Sequence, residues 1–348
     1  RRKQIPKMNS RNRFAAAVTG VKADRRAFAG AFSLYGAKLT GCPLERYYND
    51  ASLYLDGLSA VVENIATDVI LTPLFMTEMA EAFGGKIKYF KNQAPNLIEP
   101  AISNLADLPL LKIPDIYSSP RLVYTREVVR GMKQRYGNKK IIGGVLIGPT
   151  EIPIMIAGLN NWLSAVIDHS EHIKQMYDIT VPLFIEYANN LIAEGADFIC
   201  MPAAFTTPKI MTRHLVENHT VPILKEVLPE IKKPIYLHHA GAAYNEFLDL
   251  LADLPNVEGF ITDERDVLRE SRTKIGPTTV LMSGLNGVNM DRTTPEEIYD
   301  RVKAILHDRI EDPHFVFTLT GPDIPFNTPL ENLTAVSDAI REFDGSDP

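Results

Sequence analysis

The most suggestive chemistry in the chain lies in two adjacent histidines, His238 and His239, within Leu237-His238-His239-Ala240-Gly241. An imidazole can act as acid, base or metal ligand near neutral pH. Side chains of an extended strand alternate between its faces, so while the backbone stays extended one ring faces inward and the other packs against covering helices. Two hydrogen-bonded structural histidines are the plain alternative. Three carboxylates come next. Glu151, between Pro149 and Pro153, could ligate a metal, carry a raised pKa for proton transfer, or simply favour a helix N-terminus. Asp323, after Gly321-Pro322, is a candidate acid, and Asp263, opening Asp263-Glu264-Arg265, a candidate substrate contact; a solvated loop or helix start explains either equally well. Asn286, in Ser283-Gly284-Leu285-Asn286-Gly287, reads as a substrate contact or a turn residue. Met201 and Phe205 of Met201-Pro202-Ala203-Ala204-Phe205 would give an aromatic ligand an apolar wall, and Cys200 reads as a small core hydrophobe.

These residues share a position in a rhythm. Short runs rich in Val, Ile and Phe end in Gly, Pro or polar residues, and a helix-period stretch follows each. The spacing predicts strands over Asp68–Leu71, Ile141–Ile147, Asp197–Met201, Pro234–His238, Gly259–Thr262, Thr279–Met282 and His314–Thr318, with an eighth in Arg26–Ser33 after a first helix, Ser10–Val18. Helices are expected over Pro120–Tyr136, Ser170–Glu194, Pro208–Leu228, Tyr244–Leu254, Pro295–His307 and Leu330–Phe343. Strands apolar on both faces belong to a covered parallel sheet. No Gly-x-Gly-x-x-Gly lies at a strand-to-helix junction, which weighs against a dinucleotide-binding sheet. The expectation is an α/β fold, a closed (β/α)8 TIM barrel with an N-terminal helical extension. It takes residues 1–348 as one domain, with 1–65 holding the extension and first barrel elements. In such a barrel the chemistry sits at the carboxyl ends of the strands, where all the residues above fall.

Composition sets outer limits. The 348 residues are 45% hydrophobic and 23% charged, with 37 basic against 43 acidic side chains, a formal charge of -6. That balance offers no field to attract nucleic acid or an anionic membrane. Cys42 and Cys200 are too few and too far apart for a disulfide framework or a Cys-x-x-Cys ribbon. No run of 18 apolar residues occurs, and Arg1-Arg2-Lys3-Gln4 leads into no hydrophobic signal region, so a cytoplasmic protein is expected. Among the strand-end segments the single cation is Arg265. A substrate bearing many carboxylates or phosphates would need several, so a neutral or weakly charged one fits better.

Read together, several segments resemble the uroporphyrinogen decarboxylase superfamily. They are Asn9-Ser10-Arg11-Asn12-Arg13-Phe14-Ala15-Ala16-Ala17, Gly148-Pro149-Thr150, Leu237-His238-His239-Ala240-Gly241 and Thr320-Gly321-Pro322-Asp323-Ile324-Pro325-Phe326-Asn327-Thr328-Pro329-Leu330-Glu331-Asn332. The resemblance implies a (β/α)8 barrel that is either a porphyrinogen decarboxylase or a corrinoid-dependent methyltransferase. The decarboxylases' arginine-rich N-terminal motif, which grips propionates, is not found around Ala31–Gly36, although Arg1, Arg2, Arg11 and Arg13 lie upstream. The thiol-methylating branch carries His-x-Cys-Gly and a later Gly-Cys that hold zinc; here His238 matches the histidine, making it a metal-ligand candidate with an incomplete set, while Ala240 and Pro322 replace the cysteines. What fits best is the substrate-demethylating branch, which passes a methyl group from a small donor, such as an aryl methyl ether, to the cobalamin-type corrinoid of a partner protein. In that branch His238, Glu151 or Asp323 would assist the departing anion. A porphyrinogen decarboxylase is the enzyme alternative, and a barrel that has lost catalysis and serves as a scaffold is the alternative of another class.

Overall fold

The Val-, Ile- and Phe-rich runs form the parallel strands that their doubly apolar faces demand. A computed structural model describes residues 7–343; Arg1 and Arg2, named above, and the segment Arg1-Arg2-Lys3-Gln4 lie outside the described residues. The strands are β1 (Phe28–Gly30), β2 (Val69–Leu71), β3 (Ile141–Val145), β4 (Phe198–Pro202), β5 (Ile235–His238), β6 (Val257–Ile261), β7 (Val280–Leu285) and β8 (Phe315–Leu319). They pair in parallel in the order β1-β8-β7-β6-β5-β4-β3-β2. Asp68 closes the ring between β1 and β2: its N–H donates to Phe28 O at 2.7 Å and its Oδ2 accepts the Phe28 N–H at 2.9 Å. The fold is a (β/α)8 barrel.

Period-two burial divides the strand residues between two cores. Phe198, Cys200, Tyr236, Ile261, Met282 and Val316 pack inside the ring with Phe14 and Ala17 of the first helix, Ser10–Thr19. Phe14 stacks on Phe198 at 6.3 Å and meets Tyr236 at 5.8 Å, so the N-terminal helix plugs the ring. Ile199, Met201, Leu237, Phe260, Leu281 and Phe317 join the helices outside it. Cys200 is a core residue as expected, its thiol pushed up to about 12 by burial.

Most helices match their predicted spans, and Thr294 and Glu297 form a reciprocal capping box before Pro295–Asp308. The expected Pro208–Leu228 helix is instead broken into Arg213–Leu215, a widened π turn Val216–Thr220 and Val221–Val227. Pro222 has no N–H for the preceding turn, and the wide turn sits immediately before it. An unexpected hairpin, Lys86–Lys88 with Asn96–Glu99, lengthens the β2–β3 connection. Among the described residues no helix is long and apolar enough to cross a membrane.

Candidate functional site

His238 ends β5, and the alternation rule stops with it. Ala240 takes a left-handed φ of 52° and Gly241 one of 100°, turning the chain back over the histidines. The two rings therefore lie side by side, 4.8 Å apart and inclined by 13°, instead of facing opposite sides of the wall. The turn also fixes their tautomers. His238 Nδ1 accepts the Ala240 N–H at 2.8 Å, and His239 Nδ1 accepts the Gly241 N–H at 3.0 Å. Burial lowers both pKa values, that of His238 far below the ordinary imidazole range, so each ring is neutral with its proton on Nε2. His239 gives that proton to Thr320 O beyond β8; among the described residues nothing meets His238 Nε2.

His239 Nδ1 also lies 3.3 Å from Asp263 Oδ2, a contact that becomes an ion pair only in the protonated ring. Burial pushes the Asp263 carboxyl up, but Arg265 outweighs it through its side chain and its own N–H, at 2.5 and 2.9 Å, and holds it below the usual carboxylate range. Asn286 fills its expected turn role, its Oδ1 capping the Val288 N–H at 3.1 Å, and its Nδ2 donates to Asp263 at 3.2 Å. The ends of β5, β6, β7 and β8 are thus tied by one polar network comprising His239, Asp263, Asn286 and Thr320.

Glu151 lies in the loop after β3, just ahead of the short helix Ile152–Ala157, and its carboxylate is spent on another loop. Oε1 accepts the N–H groups of Phe205 and Thr206 at 2.9 and 3.0 Å and the Thr206 hydroxyl at 3.1 Å; Oε2 accepts the Ala204 N–H at 2.9 Å. Burial still pushes this carboxyl up to about 7. Phe205, half-buried, is held by its backbone in this clamp, whereas Met201 points away from the barrel interior into the helix layer, its sulfur against Gly148.

Asp323 faces a different group. It accepts the N–H of Leu34 at 3.1 Å, at the start of the helix Ser33–Thr40 that follows β1, and its own neighbour Ile324 at 2.8 Å. Burial outweighs these donors and raises its carboxyl to about 7. Tyr47, Tyr48 and Tyr54 all feel its charge. The tyrosines stand out in the sequence, but nothing there places residues 33–54 beside residue 323; the closing pair β1–β8 does. Glu78 is a second residue that sequence patterning does not reveal: buried on Glu78–Ala82, it receives hydrogen bonds from the hydroxyls of Thr125 and, at 2.8 Å, Tyr187, and is pushed up to about 7 by burial.

A match to the family model described as uroporphyrinogen decarboxylase (URO-D) spans residues 9–343. The chain belongs to the URO-D family. Methylcobamide:CoM methyltransferase MtbA of Methanosarcina acetivorans is 23% identical over 284 residues, 80% of this chain and 81% of that protein. Methylcobamide:CoM methyltransferase MtaA of Methanosarcina barkeri is 24% identical over 281 residues, 79% of this chain and 80% of its own length. A solved methyltransferase from Methanosarcina mazei superposes with a TM-score of 0.85 at 21% identity, covering 97% of this chain and 99% of its own, a likeness of fold.

The zinc expected of thiol-methylating URO-D proteins does not fit here. An imidazole that ligates through Nε2 keeps its proton on Nδ1 and donates it to an acceptor; His238 Nδ1 instead faces the Ala240 N–H. Ala240 and Pro322 carry no lone-pair side chain, and no group of three or more His, Cys, Asp or Glu among the described residues could hold a metal. Nor are the upstream arginines of this URO-D chain available at the strand ends. Arg11 pairs with Asp197 at 2.8 Å ahead of β4, and Arg13 with Asp24 at 2.7 Å and Asp68 at 2.6 Å ahead of β2, both at the opposite end of the ring. A cavity of about 490 Å³ lined by Arg272, Arg309 and His314 also lies at that opposite end, away from the network above. Barrel chemistry belongs to the strands' carboxyl ends, so the candidate site is the His238 end.

Proposed function

We propose that this chain is a corrinoid-dependent methyltransferase component that takes a methyl group from a small uncharged donor, an aryl methyl ether fitting best, for the cobalt of a corrinoid carried by a separate protein. The observation that carries the reading is the neutral His238, held as a donor with Nε2–H unpartnered at the end of β5. The relatives' names pair methylcobamide with coenzyme M, which supports a corrinoid as the methyl carrier; Ala240 and Pro322, side chains without a lone pair, favour the donor side of such a transfer over thiol activation. The partner's reduced cobalt supplies the nucleophile. This chain then has two tasks, to hold the methyl group in line and to stabilise the departing oxygen. A phenolate leaving group has a conjugate-acid pKa of about 10, so it gains from hydrogen bonding and a proton. His238 Nε2–H donates the hydrogen bond; Asp323, titrating at about 7, is the acid able to release a proton as the C–O bond breaks and its electron pair passes to oxygen. Glu151 serves as the clamp that shapes the β4 loop beside it. Asp263, Asn286 and His239 hold the rim, and Phe205 offers the donor an apolar side.

The decarboxylase alternative needs cations to meet propionates, and Arg11 and Arg13 are engaged at the far end. The test is direct. The protein is mixed with reduced cobalamin, or a reduced corrinoid protein, and a panel of methoxyarenes, thioethers and methylamines, while the conversion of Co(I) to methyl-Co(III) is followed by absorbance. Conversion with a methoxyarene is expected. No conversion with any donor, or coproporphyrinogen formed from uroporphyrinogen, would overturn the reading; a stable partner recovered without turnover would favour a scaffold.

A further inference from the structure

At the amino ends of the strands, the cavity of about 490 Å³ lies between the helix Leu268–Ile275 and the turn that leads into β8. That volume falls within the range of small-molecule sites. One ion pair on its wall is closed: Arg272 holds Asp312 through Nε at 2.9 Å and Nη2 at 3.0 Å, and gives Nη1 to Gly276 O and Thr279 O. Arg309 is different. Its Nε donates to the Asp308 carboxylate at 2.8 Å and to Asp308 O at 3.0 Å, but among the described residues nothing meets its Nη1 or Nη2. With the side chain only 12% exposed, those outer N–H groups need an acceptor in whatever fills the cavity. Glu311 is the reverse case, an exposed carboxylate without a partner among the described residues. The charges of the wall balance. Arg272–Asp312 and Arg309–Asp308 cancel, and Arg26, whose guanidinium donates to the carbonyls of Arg309, Ile310 and Asp312 at 2.6 to 2.8 Å, offsets Glu311. Pro277 and Pro313 add exposed apolar surface, and His314, tied through Nδ1 to Ala17 O at 2.9 Å, is buried at the inner side.

We propose that this cavity is a second binding site, for a small zwitterion: an α-amino acid whose carboxylate takes the free Nη1–H and Nη2–H of Arg309, whose ammonium faces Glu311, and whose apolar side chain rests on Pro277 and Pro313. A guanidinium fork matches a carboxylate with two parallel hydrogen bonds. A phosphate or dicarboxylate would bring a second negative charge against Glu311 and Asp308, and a simple amine offers Arg309 no acceptor. The inference stands apart from the methyl-transfer reading. The cavity lies at the end of the ring opposite His238, so its ligand does not compete with a methyl donor; it acts by binding, and so stabilising, the folded chain.

Ligand-observed NMR titration of the full chain tests this with leucine, its deaminated analogue isocaproate and its decarboxylated analogue isoamylamine. Leucine should bind about 10-fold more tightly than either, because each analogue lacks one charge-assisted contact. Glu311→Gln should bring leucine to the level of isocaproate, and Arg309→Gln should bring it to the level of isoamylamine. Glu311 has no partner among the described residues, so its variant keeps the wild-type Tm and reads the site without disturbing the fold. In thermal unfolding, leucine should raise the Tm where neither analogue does at the same concentration, and an excess of a methoxyarene should leave leucine binding unchanged. No binding of leucine, equal affinity for the three probes, a ratio that survives both variants, or displacement of leucine by a methoxyarene would overturn the inference.

Discussion

Glu151 invites the sharpest test, because a clamp and a catalytic acid predict opposite outcomes for the same variants. Its carboxylate takes four donors from three consecutive residues, Ala204, Phe205 and Thr206, at 2.9 to 3.1 Å. Glu151→Ala leaves all four without an acceptor. At about 1–3 kcal/mol for each unmet buried donor, discounted because Ala204 and Phe205 are half-buried and water can reach them, the loss is about 3–5 kcal/mol. That is a large share of the roughly 5–15 kcal/mol typical of a folded domain. Glu151→Gln can keep its oxygen in the place of Oε1 and retain three of the bonds, but its amide then meets the Ala204 N–H donor to donor, for a loss of about 1–2 kcal/mol. Urea unfolding followed by fluorescence of Trp162, the single tryptophan, reads both. The expected order of midpoints is wild type, then Gln, then Ala, with methyl transfer falling only as far as the folded fraction falls. If Glu151→Ala unfolds at the wild-type midpoint while methyl transfer disappears, the clamp reasoning is wrong and the carboxylate has a chemical role.

His238→Ala should abolish most methyl transfer with a small loss of stability, while His239→Ala, which strips Thr320 O and the Gly241 N–H of their partners, should cost about 2 kcal/mol and spare much of the rate; parallel kinetics and urea melts decide, and the reverse pattern would exchange their roles. Glu78 titrates at about 7 in the folded chain against 4.5 for an ordinary glutamate, so the folded state holds this proton more tightly. Its contribution is full below about pH 4.5 and is lost as pH rises through about 7. The stability gap between wild type and Glu78→Gln should therefore shrink from pH 5 to pH 8, by up to about 3 kcal/mol, and a widening gap would show the sign to be wrong. Elemental analysis after dialysis against zinc should find far less than one zinc per chain, and stoichiometric zinc would mean that the turn at Ala240 rearranges to free His238 Nδ1.

The barrel was legible because its signal is local. Runs such as Ile141–Val145 and Phe315–Leu319 carry their own strand propensity, and Gly, Pro and polar residues punctuate them. The same doubly apolar runs hide which face is which, so Met201 reads as a wall of the mouth although it packs against helices. The histidine pair misleads for another reason. Alternation needs an extended backbone, and nothing in Ala240 announces a φ of 52°, a region that residues with a Cβ seldom enter. Glu151 shows the largest gap, since its role depends on residues 204–206, over fifty positions away, approaching through adjacent strands β3 and β4. Asp323 reaches the Leu34 N–H only because the ring closes through β1 and β8.

The distribution of charge explains why a URO-D barrel can present so uncharged a mouth. Arg11, Arg13 and Arg25 concentrate at the amino ends of the strands, where Asp68, itself without exposed surface, gathers two of them and at the same time seals β1 to β2. A buried ion cluster of this kind is tolerated because each oxygen has a partner, and it binds the N-terminal helix to the ring. At the carboxyl ends the polar groups are neutral or matched: two neutral imidazoles, His239 donating to Thr320 O and His238 with its Nε2–H unpartnered among the described residues, Asp263 already held by Arg265, and Asp323 and Glu151 with pKa values close to neutrality. Charge-neutral donors discriminate by shape and by where an acceptor atom lies, because a ligand without that atom leaves them unmet. On the proposed function, a site of this composition would select an uncharged molecule by the placement of its oxygens, without the arginines that a propionate-bearing ligand would require.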